Sequence, residues 1–191
     1  GKNLLIFEVA HNYIVDFLNW DINHLKEQPS VLHSTESKLV TSIKNDSKTI
    51  NFKGYIDRID SKNNSKTIRI IDYKTGKVDP KDLDIKSIDE ITSNPKYSKA
   101  FQVIFYAWLF NREHPVENLE TGIISLRSMS AGFISLNLRE FDKIQDYFDE
   151  FTTSIMNLVS EITDTNKPFV QTDDTTRCTW CDYKSICNIQ K

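Results

Sequence analysis

Two acidic residues and a lysine fall on neighbouring apolar segments, and this pattern constrains the fold more than any other feature of the chain. The segments are GYIDRID, which starts at Gly54, and IRIIDYKTGK. Side chains of a strand alternate between its faces, so a strand over 68–74 places Asp72 and Lys74 on one face. The polar stretch SKNNSK between the segments predicts a reversal. The resulting β-hairpin can bring Asp57 beside Asp72.

This trio suits metal-assisted hydrolysis of a phosphodiester. Carboxylates are hard oxygen ligands for Mg²⁺ or Mn²⁺, and such an ion also takes a phosphate oxygen from the substrate. The ion acts as a Lewis acid and acidifies water, while Lys74 could orient the attacking water or stabilise charge on the phosphate. The alternative is an edge-strand ion pair between Asp72 and Lys74, commonly worth ~0–1 kcal/mol when exposed.

A second polar pair follows on a predicted helix. The stretch KAFQVIFYAWLFNR at 99–112 is apolar, aromatic and free of Pro and Gly, which predicts a helix. Gln102 and Tyr106 are four residues apart, so they share one face of it. Such a pair is ordinary in isolation, but after a D-x-K motif it indicates two further members of the same site.

Together these motifs resemble the RecB-like branch of the PD-(D/E)XK nucleases, in particular the AddB-type nuclease domain of bacterial helicase-nucleases. The resemblance runs from about Glu36 to the end, and its specificity lies in the order and combination of the motifs. The matching residues are Gly54, Asp57, Asp72, Lys74, Gln102, Tyr106, Cys178, Cys181 and Cys187.

The resemblance implies roles for these residues. The implied metal ligands are the side chains of Asp57 and Asp72 and the backbone carbonyl of Tyr73. Lys74 would be the catalytic lysine, and Gln102 and Tyr106 would organise the site and the DNA backbone.

Two further residues have open alternatives. The family usually carries a histidine ligand on an upstream helix, for which His11 is the candidate; the alternative is a packing helix with an incidental histidine. Glu36 resembles an acid that often precedes the first strand, and its alternative is an exposed turn carboxylate.

The three cysteines, Cys178, Cys181 and Cys187, all lie in the last fourteen residues. In an intracellular chain such clustering favours a metal over a disulfide. Thiolates this close can hold zinc or one edge of an iron–sulfur cluster, and both normally want four ligands. In the resembling family a far-upstream cysteine completes a [4Fe-4S] cluster; its absence here leads us to expect a truncated chain. The alternative is free thiols.

Composition fits a single domain, since 39% hydrophobic and 11% aromatic residues supply a core. No apolar run approaches the ~20 residues of a membrane span, and no signal peptide is found, so we expect a cytoplasmic protein without membrane association. The net charge of −3 is unusual for an autonomous nucleic-acid binder, so DNA binding should be local or shared. The stretch over 78–90 is acidic, which predicts a loop that lies away from the DNA. Candidate DNA contacts are Lys53, Arg58, Lys74, Lys77, Arg112 and Lys184. The alternative for each is a solvated charge, and Arg58 could instead pair with Asp60 or another acid.

The predicted fold is α/β, a restriction-endonuclease-like mixed sheet flanked by helices with a C-terminal cysteine-rich tail. Gly54 within its strand predicts room for a ligand or a bulge. Apolar periodicity predicts a long helix over 141–162. Further strands are expected over 38–44, 49–59, 122–126 and 133–138. The predicted domains are an N-terminal helical remainder of a truncated region at 1–30, a nuclease core at 31–165 and a tail at 166–191.

These patterns predict a Mg²⁺-dependent DNA exonuclease domain acting on single- or double-stranded ends. Its partner would be a helicase subunit or domain of the same helicase-nuclease, in double-strand-break repair. One alternative is a catalytically silent, nuclease-like module that holds DNA. Another is a stand-alone nuclease of the CRISPR-adaptation type.

Overall fold

The main sheet of the computed structural model has five strands in the order β1-β2-β3-β5-β6. The strands are β1 Ser30–Asn45, β2 Lys48–Lys62, β3 Thr67–Lys74, β4 Asp84–Ile85, β5 Asn118–Ser125, β6 Phe133–Ser135 and β7 Asn137–Leu138. The α-helices are α1 Lys2–Glu27, α2 Asp89–Ser93, α3 Ser98–Glu113 and α4 Phe148–Ile162. The structure describes residues 1–45, 48–62, 65–87, 89–168, 170–173 and 175–187.

The sheet is mixed, as predicted. Strands β1, β2 and β3 form an antiparallel meander, β3 pairs with β5 in parallel, and β6 runs antiparallel to β5. Both Ile70 and Ile71 of β3 are buried, on opposite faces, because this central strand is covered on both sides. Helix α3 packs on one face, where the Thr121 hydroxyl donates to the Val103 carbonyl at 3.0 Å. Helix α1 contacts the other face.

The chain forms two compact units, Gly1–Ile155 and Met156–Lys191. The domain boundaries after residues 30 and 165 stay predictions. The predicted reversal in SKNNSK includes residues 63–64, which lie outside the described residues.

Several elements differ from their predicted bounds. The segment predicted as one strand over 133–138 is split at Leu136, whose amide donates to the Thr121 carbonyl, and β7 pairs with β4 instead. Helix α4 begins at Phe148, since the preceding turn, Ile144–Tyr147, is a 3₁₀-helix. The predicted loop over 78–90 contains regular structure because its apolar Leu83 and Ile85 are buried.

Helix α1 packs less than its amphipathic pattern predicts. It is one long helix without a buried residue. Its C-terminal half contacts the sheet, where the Phe17 ring meets the edge of Tyr73 at 5.1 Å between centroids. Its N-terminal half leaves large side chains such as Leu5 and Phe7 exposed. No helix in the described part of the chain is long and apolar enough to span a bilayer.

A buried ionic network joins α1 to the sheet. Asp60, which is 0% exposed, accepts from Arg58 Nε at 2.7 Å and from Arg69 Nε at 2.6 Å. Arg58 also donates to both carboxylate oxygens of Asp21 on α1 at 3.0 Å. The prediction that Arg58 contacts DNA is therefore wrong, because its guanidinium is buried and its donors are committed to these acids.

Asp60→Asn should lower the free energy of unfolding by about 3–5 kcal/mol, because it leaves the buried Arg69 guanidinium without a counter-charge and Arg58 with Asp21 alone. Asp84→Asn is the matched control: Asp84 also pairs with an arginine, Arg139, but these side chains are 30% and 51% exposed, so little change is expected. Urea unfolding followed by circular dichroism measures both. Equal losses in the two variants would contradict this account of the network.

Candidate active site

The predicted pair of Asp72 and Lys74 lies at the C-terminal end of β3, on the face that α3 covers. Lys74 Nζ is 2.8 Å from Asp72 Oδ2. Asp72 is only 3% exposed, and β3 lies between β2 and β5. The pair is therefore not the exposed edge-strand ion pair of the alternative interpretation.

Asp57 reaches the same place from β2. Its Oδ2 accepts a hydrogen bond from the backbone N–H of Tyr73 at 2.7 Å. The pairing of β2 with β3 ends where Arg58 lies opposite Ile71, so the Asp57 carboxylate takes a backbone donor just beyond the paired residues. The two acids are thus brought together, as the predicted hairpin requires.

The alternation of β2 is broken immediately before Asp57. Gly54 faces α3, since a Cβ at this position would lie 2.8 Å from Leu109 Cδ1 and 3.0 Å from Tyr106 Cε1. Arg58 faces α1, where it binds Asp21. Residues four apart in a regular strand share a face, so β2 changes face between Gly54 and Arg58. The space left by Gly54 is occupied by α3, and the prediction of room for a ligand is wrong.

Glu36 lies on β1 opposite Asp57, between the paired positions on either side. Its φ of +49° is left-handed, which is uncommon for a residue with a side chain. The predicted alternative of a turn carboxylate is wrong, because Glu36 lies inside β1. The irregularity in both strands leaves Asp57 on the α3 face together with Asp72.

Helix α3 supplies the other predicted pair. The Gln102 side chain accepts from Lys74 Nζ through Oε1 at 2.7 Å and donates from Nε2 to Asp72 Oδ1 at 3.1 Å. Its Nε2 also donates to the Tyr106 hydroxyl at 2.9 Å, one helical turn away. One neutral amide therefore connects the lysine, the buried acid and the tyrosine. We call Asp57, Asp72, Lys74, Gln102 and Tyr106 the D-x-K cluster.

The electrostatics of Asp72 favour a bound cation. Burial raises the pKa of Asp72, and the charge of Asp57 raises it further, while the Lys74 ammonium acts in the opposite direction. Asp72 Oδ2 is buried, and its close polar contact is the ion pair with Lys74 Nζ at 2.8 Å. This buried carboxylate therefore depends on positive charge beside it.

A divalent ion fits this donor set. Two neighbouring carboxylates, one of them buried, suit a hard cation. Among the residues that the structure describes, no three His, Cys, Asp or Glu side chains are grouped as a metal site. Asp57 and Asp72 would therefore share the ion with water, backbone or substrate oxygens, as Mg²⁺ commonly requires.

The Tyr73 side chain and the His11 ring lie apart from the D-x-K cluster. The Tyr73 side chain faces α1, where its hydroxyl accepts from Arg58 Nη1 at 3.4 Å, and its carbonyl as a metal ligand stays a prediction. The His11 ring contacts Phe7 on its own helix, with 6.4 Å between centroids. No described contact joins His11 to Asp57.

The cysteines belong to the second compact unit. Cys178 is buried, Cys181 is partly exposed and Cys187 is exposed, and all three are free thiols. The Cys181 amide donates to the Cys178 carbonyl at 3.2 Å, and the Tyr183 amide donates to Cys181 Sγ at 3.4 Å. Cys178 and Cys181 thus belong to one local turn. A zinc or iron–sulfur site formed by the cysteines stays a prediction.

Sequence reasoning missed the residues that support the cluster from outside. The Tyr73 amide anchors Asp57, and the Asp21–Arg58 pair fixes the strand next to it. The backbone donor leaves no signal in the sequence. The Asp21–Arg58 ion pair leaves a weak signal, because Arg58 directly follows the predicted ligand Asp57 and in a strand would point to the opposite face.

Comparison with known proteins agrees with this arrangement. The sequence model of the PD-(D/E)XK nuclease superfamily matches residues 8–188. One solved structure, the crystal structure of SSO0001, matches with a TM-score of 0.35 and 16% identity, covering 98% of this chain and 70% of that chain. A TM-score this low does not establish a shared fold. No curated protein is significantly similar in sequence. Because the family match spans nearly its whole length, the chain belongs to the PD-(D/E)XK nuclease superfamily.

Proposed function

We propose that this chain is a metal-dependent DNA exonuclease domain of the RecB-like, AddB-type branch, and part of a cytoplasmic helicase-nuclease that processes double-strand breaks. The observation that carries the proposal is the D-x-K cluster, in which Lys74 and Asp72 are 2.8 Å apart and Gln102 contacts both. The branch is supported by the order of the GYID, IDYK and Q-x₃-Y motifs. The substrate would be single- or double-stranded DNA ends, and the partner a helicase subunit or domain.

Asp57 and Asp72 would hold Mg²⁺ or Mn²⁺, with the Tyr73 carbonyl as a proposed third ligand. When bound, the ion would supply Lewis-acid polarisation of the scissile phosphate and would acidify water. The Tyr73 amide holds one oxygen of Asp57 at 2.7 Å. The Gln102 amide donates to Oδ1 of Asp72, and Oδ2, which pairs with Lys74 Nζ at 2.8 Å, would be shared with the ion.

Lys74 is placed to act on the substrate. Gln102 Oε1 holds its ammonium at 2.7 Å, and because the amide is neutral, this contact fixes the position of the charge without cancelling it. A fixed cation beside the metal ligands can orient the attacking water or stabilise the negative charge that grows on the phosphate. Lys74 is partly exposed, so a phosphate can reach it.

The cysteine tail belongs to the same proposal. Cys178, Cys181 and Cys187 would supply three of the four ligands that a [4Fe-4S] cluster or a zinc ion normally takes. Such a site would be structural, since the hydrolysis needs only the D-x-K cluster.

Asp72→Asn and Lys74→Ala should each slow Mg²⁺- or Mn²⁺-stimulated cleavage of end-labelled single-stranded DNA by roughly 100-fold or more, a loss typical for removal of a group that stabilises transition-state charge. Asp84→Asn and Arg139→Ala are matched controls, because they break an ion pair outside the cluster. They should cleave at the wild-type rate. Wild-type rates in either cluster variant would refute the assignment.

Gln102→Ala should lower kcat by about 10- to 100-fold, as expected for a residue that orients metal ligands. Tyr106→Phe should cost less, because phenylalanine keeps the packing over Gly54 and loses one hydrogen bond. Gln145→Ala is the control, since Gln145 donates to the carbonyls of Val116 and Glu117 elsewhere in the fold. Steady-state cleavage kinetics measure all three, and an equal loss in the control would contradict the positioning role.

A further inference from the structure

Strands β1 and β2 extend well beyond the rest of the main sheet. Strand β2 pairs with β1 from residue 48 to residue 62 but with β3 only over 58–61. We call the extended part, residues 37–45 and 48–56, the β1–β2 ribbon. Over residues 48–56, the edge of β2 on the side of β3 has no strand partner among the described residues.

One face of the ribbon is covered by α3. Leu39 and Phe52 are buried on this face, and the Phe52 ring meets Trp108 at 5.3 Å between centroids. The Arg112 Nε donates to the Thr41 hydroxyl on the same face at 3.2 Å. Arg112, predicted as a DNA contact, thus lies on the covered side of the ribbon.

The opposite face is exposed and basic. Its cross-strand pairs are Lys38–Tyr55, Val40–Lys53, Ser42–Asn51 and Lys44–Thr49. All eight residues are exposed, and no described residue of this face is acidic. In the part of the chain that the structure describes, Lys38, Lys44 and Lys53 form no ion pair. We call these three lysines with Tyr55 the lysine face.

The composition of the lysine face fits one kind of ligand. Lysines without acidic partners are available to neutralise phosphates. Tyr55 is 49% exposed between Lys38 across the ribbon and Lys53 along its own strand, and its ring can stack on a base. A basic groove or face with an exposed aromatic ring is how single-stranded nucleic acid is commonly bound.

Protection of a sheet edge explains part of this pattern but not all of it. Lysines on an edge strand prevent pairing with other chains, and this could account for Lys38 and Lys44 on β1. Lys53 lies on the other, unpaired edge of the ribbon, so the same explanation could cover it. Edge protection does not explain the exposed ring of Tyr55, and the β1 edge is already blocked near its middle, where the Val40 amide donates to the Glu113 carboxylate at 2.7 Å.

We propose that the lysine face binds the phosphate backbone of single-stranded DNA, with Tyr55 stacking on a base, and that it leads the strand to the D-x-K cluster. This rests on the proposed function. Tyr55 precedes Asp57 by two residues, or about 7 Å of strand. The β2 edge beside these residues is unpaired, so a bound strand can cross it to the cluster on the other face.

The first test is a triple variant, Lys38→Gln, Lys44→Gln and Lys53→Gln. Fluorescence anisotropy with a labelled oligothymidylate in EDTA measures affinity against salt. The slope of log K against log salt should become shallower by about 2, since each neutralised phosphate on a single strand contributes about 0.7. Affinity at low salt should fall at least about tenfold.

The control triple variant is Lys66→Gln, Lys81→Gln and Lys143→Gln, which removes the same charge from exposed lysines elsewhere. Its slope should match the wild type. A wild-type slope in the first triple variant, or an equal change in the control, overturns the proposal. Circular dichroism of both variants confirms that they are folded.

Variants of Tyr55 test whether the lysine face prefers single-stranded DNA to duplex DNA. Tyr55→Ala should weaken binding of the single-stranded oligonucleotide roughly 5- to 100-fold, while Tyr55→Phe keeps the stacking surface and should bind like the wild type. Duplex affinity should be unchanged in both. An equal loss with duplex, or no loss with single-stranded DNA, overturns the stacking assignment.

Failure of this proposal is distinguishable from failure of the proposed function, because binding is measured without metal. A chain that cleaves DNA but keeps its salt slope in the first triple variant retains the nuclease assignment and loses the lysine face. A chain that binds DNA through the lysine face but never cleaves it retains the lysine face and loses the nuclease assignment.

Discussion

The buried carboxylate of Asp72 is the constraint on which the rest of the site depends. A charge at the end of a central strand, 3% exposed, is costly unless polar groups compensate it. Lys74 supplies a counter-charge and Gln102 a hydrogen bond, so α3 must dock where its amide reaches both. Because this buried carboxylate lies beside Asp57 and depends on positive charge, the arrangement that stabilises the fold is also the proposed site of the metal ion.

Periodicity predicted the parts of the cluster that lie within one element. A period of two placed Asp72 and Lys74 together, and a helical turn placed Gln102 and Tyr106 together. Asp57 was correctly expected beside Asp72, but strict alternation from Gly54 would have turned it towards α1. The break in β2 opposite the left-handed Glu36 corrects this, and a backbone irregularity of that kind leaves no signal in composition or spacing.

Sequence reasoning reached only part of the ionic network beneath α1, since it offered Asp60 as an alternative partner of Arg58 but did not identify Asp21. Asp21 and Arg58 are far apart in the chain, and charged residues ordinarily indicate solvent exposure. Here the acid at Asp60 lies between two arginines and is fully buried. Arg58 follows a proposed metal ligand directly but points to the opposite face, so the same short motif serves the site on one side and the attachment of α1 on the other.

Net charge was a poor guide to where DNA could bind. A balance of −3 describes the whole chain, but electrostatic interactions between exposed charges are largely screened beyond ~10 Å at 0.1 M salt. A DNA phosphate is therefore attracted or repelled mainly by the charges close to it on the protein surface. The exposed side of the β1–β2 ribbon combines lysines with neutral residues, whereas the acidic stretch over 78–90 forms other elements. An acidic chain can present a basic face when strand pairing sorts its charges, since alternation sends every second residue to the same side.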